Sequence, residues 1–365
     1  MIHHNLLSYL DYNAFLLYSQ CMESIYYDGK TLLNTKDINK GVPEIYISTG
    51  NRTAGKTTYF NRYVVNRFLK RGEKFIILYR YSYECKGCAE KFFSDIQGLF
   101  FKDYTMTEKT FFNGIFTRLY LNDVVCGYAL ALNDADKIKK YSHLFTDAQR
   151  ILFDEFQPES NVYLPDEISK FQSVHMSVAR GQGQLVRYVP VIMISNFVTL
   201  LNPYYIAFGI SERLRDDTKI LRGDGFILEQ TLNVNASKAQ QESAFNRAFK
   251  DSQYLKYASE IKYLNDNTAF IEKPSGHGTY LCTIKCEGKE YGIINYDSGY
   301  IYVSDRADSS FRVKISLTLD DHNVGYVLAN QYAGLIMTLR QCFQKGYFRF
   351  KNLQCKNVAI NLLKY

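Results

Sequence analysis

Gly50-Asn51-Arg52-Thr53-Ala54-Gly55-Lys56-Thr57 reads G-x-x-x-x-G-K-[ST], the phosphate-binding P-loop pattern. The flanking segments suit it. Glu44-Ile45-Tyr46-Ile47-Ser48-Thr49 is short and rich in β-branched and aromatic residues, which predicts a buried strand. Thr58 to Arg71 carries apolar residues at Phe60, Val64, Val65 and Phe68, which predicts a helix. Strand, glycine loop and helix in that order aim backbone N–H groups and a helix dipole at phosphate oxygens. The pattern assigns Gly50, Asn51, Arg52, Thr53, Ala54, Gly55, Lys56, Thr57 and Thr58 to ATP binding. Lys56 then reaches the β- and γ-phosphates, and Thr57 holds Mg²⁺.

Arg150-Ile151-Leu152-Phe153-Asp154-Glu155-Phe156 fits the companion strand of such a site: apolar residues bury it and deliver two acids at its carboxyl end. Asp154 is the second candidate Mg²⁺ ligand and Glu155 the candidate base for an attacking water, with a solvated acidic turn as the plain alternative. The run continues Asp154-Glu155-Phe156-Gln157 instead of Asp-x-x-Gly, and no N-K-x-D occurs, which sets GTPases aside. A second carboxylate beside the metal ligand suits ATPases that hydrolyse with water, and small-molecule kinases usually lack it. Val191-Ile192-Met193-Ile194 reads as another buried strand, ending in Ser195-Asn196. Asn196 there is either a γ-phosphate sensor or a strand-end cap. Pro165-Asp166-Glu167 predicts a helix start with proline at the first helical position, running toward Val178-Ala179-Arg180. Arg180 at the helix end is either an arginine finger for a neighbouring subunit or a solvated cation favoured by the helix dipole.

The chain's 365 residues allow two cores, and 46% hydrophobic with 22% charged residues is ordinary for a globular protein. A net charge of +7 favours a polyanionic partner. Met1-Ile2-His3-His4-Asn5 does not open a signal peptide. Tyr188 to Ser211 holds no charge, but Ser195-Asn196 and Asn202-Pro203 interrupt it, so no membrane span is expected. Of eight cysteines, Cys85 and Cys88 form a lone C-x-x-C and Cys282 and Cys286 a looser pair. Zinc would need a second spaced set, so reduced thiols are expected.

Further strands are predicted at Lys74–Tyr79, Phe116–Leu121 and Val124–Leu132, and a mixed helix at Leu6–Cys21. Alternating strands and helices imply a doubly wound α/β sheet. Ser237–Ile261 reads as a connecting helix, and from Thr268 the pattern is β again: Thr268–Ile271, Thr279–Cys286, Tyr291–Asn295 and Tyr300–Val303. Helices are predicted over Val324–Lys345 and Val358–Leu363. The expected division is an ATPase domain at 1–228, a helical linker at 229–264 and an α+β domain at 265–365. Between Arg340 and Tyr365 basic residues occur without acids and are interleaved with aromatics. Lys345, Arg349 and Lys351 are the candidate nucleic-acid contacts, with a solvated basic face as the alternative.

The order of these parts resembles the DNA-packaging ATPases of phi29-type small tailed phages. The resemblance rests on Gly50, Arg52, Gly55 and Lys56, on Asn66-Arg67-Phe68, Gly72-Glu73-Lys74-Phe75-Ile76 and Tyr79-Arg80-Tyr81. It continues through Phe153-Asp154-Glu155-Phe156, Val178-Ala179-Arg180, Ser195-Asn196, Asn202-Pro203-Tyr204 and Gly346-Tyr347-Phe348-Arg349-Phe350. It implies a RecA-like, additional-strand P-loop ATPase followed by an RNase H-like domain that has lost its nuclease acids. Asp297 and Asp305 do not form a convincing carboxylate cluster. The resemblance also implies a homo-oligomeric ring, a pentamer, that moves double-stranded DNA at the portal of a procapsid in the host cytoplasm, with a structural RNA as a further candidate partner. It aligns Arg180 with the family's trans-acting arginine. Family members often carry basic residues just after it, whereas Gly181-Gln182-Gly183-Gln184 is neutral. A RecA-like single-strand helicase and a non-catalytic DNA-binding assembly protein are the alternatives. Intact Lys56, Thr57, Asp154 and Glu155 argue against the second.

Overall fold

The computed structural model describes residues 26–181, 183, 185–211, 213–214, 218–260, 263–264, 266 and 270–365. The predicted helix Leu6–Cys21 lies outside them, as do two residues of the predicted strand Thr268–Ile271. The chain divides into two compact units, Met1–Asn265 and Asp266–Tyr365.

The first unit is a sheet built from β1 (Ile45–Gly50), β2 (Lys74–Tyr79), β3 (Met106–Phe111), β4 (Phe116–Leu121), β5 (Val124–Ala131), β6 (Ala148–Asp154), β7 (Val191–Asn196), β8 (Ile220–Arg222) and β9 (Phe226–Thr231). Their order is β3-β4-β5-β2-β6-β7-β1-β9-β8. The run from β5 to β9 is parallel, and β3, β4 and β8 are antiparallel additions at the edges. β7 lies between β1 and β6, the additional-strand arrangement. The apolar runs read from sequence are buried on both faces, as parallel strands require. Ile76, Leu78, Ile151, Phe153, Val191 and Met193 face one core, while Phe75, Ile77, Leu152, Ile192 and Ile194 face the other. Helices α1 (Lys56–Arg71) and α2 (Cys88–Phe100) cover the second face, and α3 (Glu167–Val178) covers the first.

Several boundaries differ from the sequence reading. The division at 228 cuts β9, which pairs in parallel with β1 and belongs to the sheet. Buried Glu229 and Gln230 disguise it, and Glu229 is tolerated there because Tyr27 Oη donates to it at 2.6 Å. The connecting helix is broken into α4 (Val234–Glu242), a short turn of helix and α5 (Gln253–Ser259), all within the first unit. Ser243 and Ser252 break it by accepting backbone N–H bonds from Asn246 and Leu255 as new N-caps. Pro165 stands before the N-cap Asp166, not at the first helical position. The C-x-x-C proves to be a helix start: Glu108 accepts from the N–H groups of Gly87 (2.8 Å) and Ala89 (2.7 Å) and from the Cys88 thiol. Both thiols are buried, which raises their pKa and keeps them protonated. The uncharged run at 188–211 is β7 plus the short helix Pro203–Ala207, and no helix among the described residues is long and apolar enough to cross a membrane.

The second unit contains β10 (Gly278–Cys286), β11 (Lys289–Tyr296), β12 (Ile301–Ser304), β13 (Lys314–Ser316), β14 (Val327–Leu328) and β15 (Phe348–Phe350) in the order β14-β13-β10-β11-β12-β15. An antiparallel meander, β10 to β12, is extended by β13 parallel to β10 and β14 parallel to β13. This is the strand order of RNase H-like folds. Helix α6 (Ala333–Gln344) begins later than expected, because Asn323 Oδ1 accepts from Gly325 N–H in a turn that leads into β14. Helix α7 (Leu353–Leu362) begins earlier, capped by Asn352. β10 carries no carboxylate, and no His, Cys, Asp and Glu cluster among the described residues could hold a metal ion.

Beneath α1, Glu73 joins Arg67 (2.7 Å) and Arg150, whose other nitrogen donates to Tyr63 Oη at 2.9 Å. Replacing Glu73 by Ala leaves the Arg150 guanidinium, 5% exposed, buried without its carboxylate. We expect a loss of about 3–5 kcal/mol, read as a lower urea midpoint by circular dichroism.

Candidate functional site

The chemistry converges at the carboxyl ends of the parallel strands. β1 ends at Gly50, where a Cβ would stand 2.7 Å from the Thr231 carbonyl and 3.2 Å from Lys56 Nζ, so the loop can leave the sheet only as glycine. Gly55 takes φ +90 as the N-cap of α1, the left-handed conformation that turns the loop onto the helix. Asn51 extends the β1–β9 pairing beyond the strands: its side chain donates to Asn233 O at 3.1 Å and accepts from Asn233 N at 2.9 Å. α5 adds a further brace, since Arg52 N–H donates to Ala258 O.

Lys56 is 5% exposed, and its ammonium donates to Asn51 O at 2.9 Å and to Asn196 Oδ1 at 3.4 Å. Burial drives its pKa from 10.5 down to about 8, against the pull of the Asp154 carboxylate. Asp154 ends β6 and accepts hydrogen bonds from the Thr57 hydroxyl and from Glu155 N at 2.9 Å. Burial nonetheless lifts its pKa. Glu155 follows with φ +54, an uncommon conformation for a residue with a side chain. Desolvation and then the charges of Asp154, Glu159 and Glu84 raise its pKa. Thr57, Asp154 and Glu155 line one cleft of about 310 Å³, together with Tyr79, Arg80 and Glu84. The arrangement can hold an anion over Lys56, and Thr57 and Asp154 together offer a divalent cation two oxygens.

Sequence reasoning missed three parts. Arg52 pairs with Glu159 and with the Tyr254 hydroxyl of α5, and Tyr257 donates to Glu159 at 2.9 Å. Gln240 of α4 donates to Thr53 Oγ1 at 3.3 Å, so α4 and α5 both touch the P-loop. Arg80 at the end of β2 is 5% exposed and bonds the carbonyls of Glu155 and Phe156 and the carboxylate of Glu167. No spacing rule marks these residues, although an arginine directly after a fully buried strand is a signal in itself.

Arg180 lies elsewhere. Its guanidinium donates to the Ser142 hydroxyl. Arg187 nearby donates both to Val178 O at the end of α3 and to Ala148 O at the start of β6. Arg180 is therefore at the amino edge of the sheet, and Asp154 is at the opposite edge, roughly 20 Å away along β6. In the second unit Arg349 pairs with Glu272 and lies over the Tyr300 ring at 4.0 Å, while Lys351 pairs with Asp305. Of the three residues expected to meet nucleic acid, these two are engaged within the chain, and Lys345 is exposed at the end of α6.

A family model for the podovirus DNA encapsidation protein (Gp16) matches residues 22–365. The DNA packaging proteins of Bacillus phages phi29 and PZA are each 26% identical over 347 residues, covering 94% of this chain and 98% of theirs. Among solved structures, the bacteriophage Phi-29 viral genome packaging motor assembly superposes with a TM-score of 0.68 at 24% identity, covering 93% of this chain and 99% of that one.

The Lys56 pKa has a consequence for stability. Between pH 8 and the ordinary lysine range the unfolded chain binds a proton that the folded chain does not, so this group's contribution to stability rises with pH. Lys56→Met removes it. We expect the variant to exceed wild type by on the order of 1–3 kcal/mol at pH 7, with the gap narrowing as pH rises from 8 to 9.5 in paired urea titrations.

Proposed function

The chain belongs to the podovirus DNA encapsidation protein (Gp16) family and serves DNA translocation into a procapsid; we propose that it does so as an ATP-hydrolysing motor. The observation that carries this reading is that Thr57, Asp154 and Glu155 line one cleft beside a P-loop whose buried Lys56 lies within the field of Asp154. ATP, when bound, would supply the γ-phosphoryl group, and a Mg²⁺ ion held by Thr57 and Asp154 would supply neutralisation of its charge. Loop N–H groups and Lys56 bind the phosphates, and Thr57 and Asp154 orient the cation. Glu155 takes the proton of the attacking water, and its raised pKa makes it a stronger base than an ordinary glutamate. Asn196 reports the γ-phosphate, a role supported by its Oδ1 lying 3.4 Å from Lys56 Nζ. Arg180 cannot reach its own P-loop across the sheet, so it serves a neighbour in a homo-oligomeric ring at the portal, around double-stranded DNA. The second unit is a nuclease-like domain without metal-binding acids, with Lys345 as its remaining candidate phosphate contact. ATPase assays with duplex and single-stranded DNA test the reading: duplex stimulation supports it, and exclusive single-strand stimulation favours a helicase.

Two outcomes follow from these roles. Lys56→Ala should lose ATP affinity by at least about tenfold, whereas Glu155→Gln should bind ATP normally and lose kcat by about 10²-fold or more. Equilibrium binding and single-turnover hydrolysis separate the two. Mixing inactive Arg180→Ala and Glu155→Gln subunits should restore part of the activity, because some mixed interfaces hold one intact composite site. No recovery in rings shown to be mixed would place Arg180 outside the active site.

A further inference from the structure

Arg187 has no part in the P-loop pattern or the acidic pair, yet it closes the loop that begins at Arg180. Its backbone N–H donates to Ala179 O at 2.6 Å. Its Nη2 donates to Val178 O, at the last residue of α3, at 2.7 Å, and to Ala148 O, at the first residue of β6, at 3.1 Å. Carbonyls at a helix C-terminus lack intrahelical partners and carry the negative end of the dipole, so a cation suits them. Arg187 is 8% exposed; burial lowers its pKa, while the charge of Asp147 works the other way. Arginine nonetheless stays charged in such a setting. The chain just beyond is pinned as well: Val189 N–H donates to Glu44 Oε1 at 2.9 Å, and Val189 O lies 3.0 Å from His175 Nε2 of α3.

The loop needs such a hold. Arg180, Leu185 and Val186 are exposed, so packing by these side chains does not fix it. The Arg180 guanidinium itself rests on the Ser142 hydroxyl, a neutral acceptor. A long side chain sent to another subunit is placed only as well as its own backbone, and an error of about 1 Å can cost on the order of 10²-fold in rate. Arg187 refers that backbone to β6, the strand that also ends at Asp154.

We propose that Arg187 is a positioning residue for Arg180: by tying both ends of the 180–186 loop to the start of β6, it fixes the point from which Arg180 reaches a neighbouring subunit's nucleotide. The proposal rests on the trans reading of Arg180. Full-chain Arg187→Met, Arg180→Ala and Glu155→Gln are compared in ATP binding and duplex-stimulated hydrolysis, alone and in rings shown to be mixed. Arg187→Met should bind ATP within about threefold of wild type and lose at least about tenfold in kcat. Mixed with Glu155→Gln, it should exceed the average of the two homogeneous rings, because its own intact acids receive an intact arginine from the neighbour. Mixed with Arg180→Ala, it should not exceed that average, because both defects lie on the donating side. A merely structural loss would lower ATP affinity together with kcat and would not be relieved by Glu155→Gln subunits. Should Arg187→Met not fold, Arg187→Lys takes its place: it keeps the cation on a shorter stem, and a loss of about threefold or more with the same mixing pattern is expected. Wild-type kcat beside a slow Arg180→Ala, or recovery on mixing with Arg180→Ala, overturns the Arg187 role alone. Failure of Arg180→Ala and Glu155→Gln to complement each other overturns the trans reading and the proposal with it.

Discussion

A buried ammonium at the edge of a parallel sheet organises the first unit. Lys56 is removed from water by the same strands that form the core, and it is compensated by an amide oxygen, a backbone carbonyl and the more distant field of Asp154. Such a site is unfavourable to the empty protein and favourable to a polyanion. The parallel order β5-β2-β6-β7-β1-β9 is what makes it possible, because it ends β1, β6 and β7 side by side. Gly50, Asp154 and Asn196 are the last residues of those three strands.

Legibility in the sequence followed burial. Strands buried on both faces, such as β2, β6 and β7, are apolar runs that no other element mimics at that length. β9 escaped because Glu229 and Gln230 lie inside it, and their acceptability depends on Tyr27, far away in sequence. β3 escaped for the opposite reason: as an edge strand it is half exposed and carries Glu108 and Lys109 like a loop. The P-loop and the acidic pair were readable because local spacing alone sets their geometry. Arg80, Glu159 and Tyr254 were not, because their partners come together only once the sheet is assembled.

The C-terminal basic run shows the limit of counting charges. Composition from Arg340 onward suggested a cationic face. In the fold, Arg349 is sandwiched by Tyr300 and Phe270 and paired with Glu272, and Lys351 meets Asp305. Acids outside the basic run pair with two of its cations. Charge counted along the chain and charge presented in space differ wherever β15 brings distant segments together.

The placement of Arg180 at one edge of the sheet and of the acids at the other has a consequence for symmetry. If Arg180 serves a neighbour, the surface that donates it and the surface that receives it lie at opposite edges of the sheet and are different patches. Contacts on that reading are heterologous, head to tail, and every added subunit both gives and receives. Closure is then a matter of rotation angle alone. An angle that divides the circle yields as many complete sites as subunits, whereas any other leaves an open helix with one unfinished site at its end.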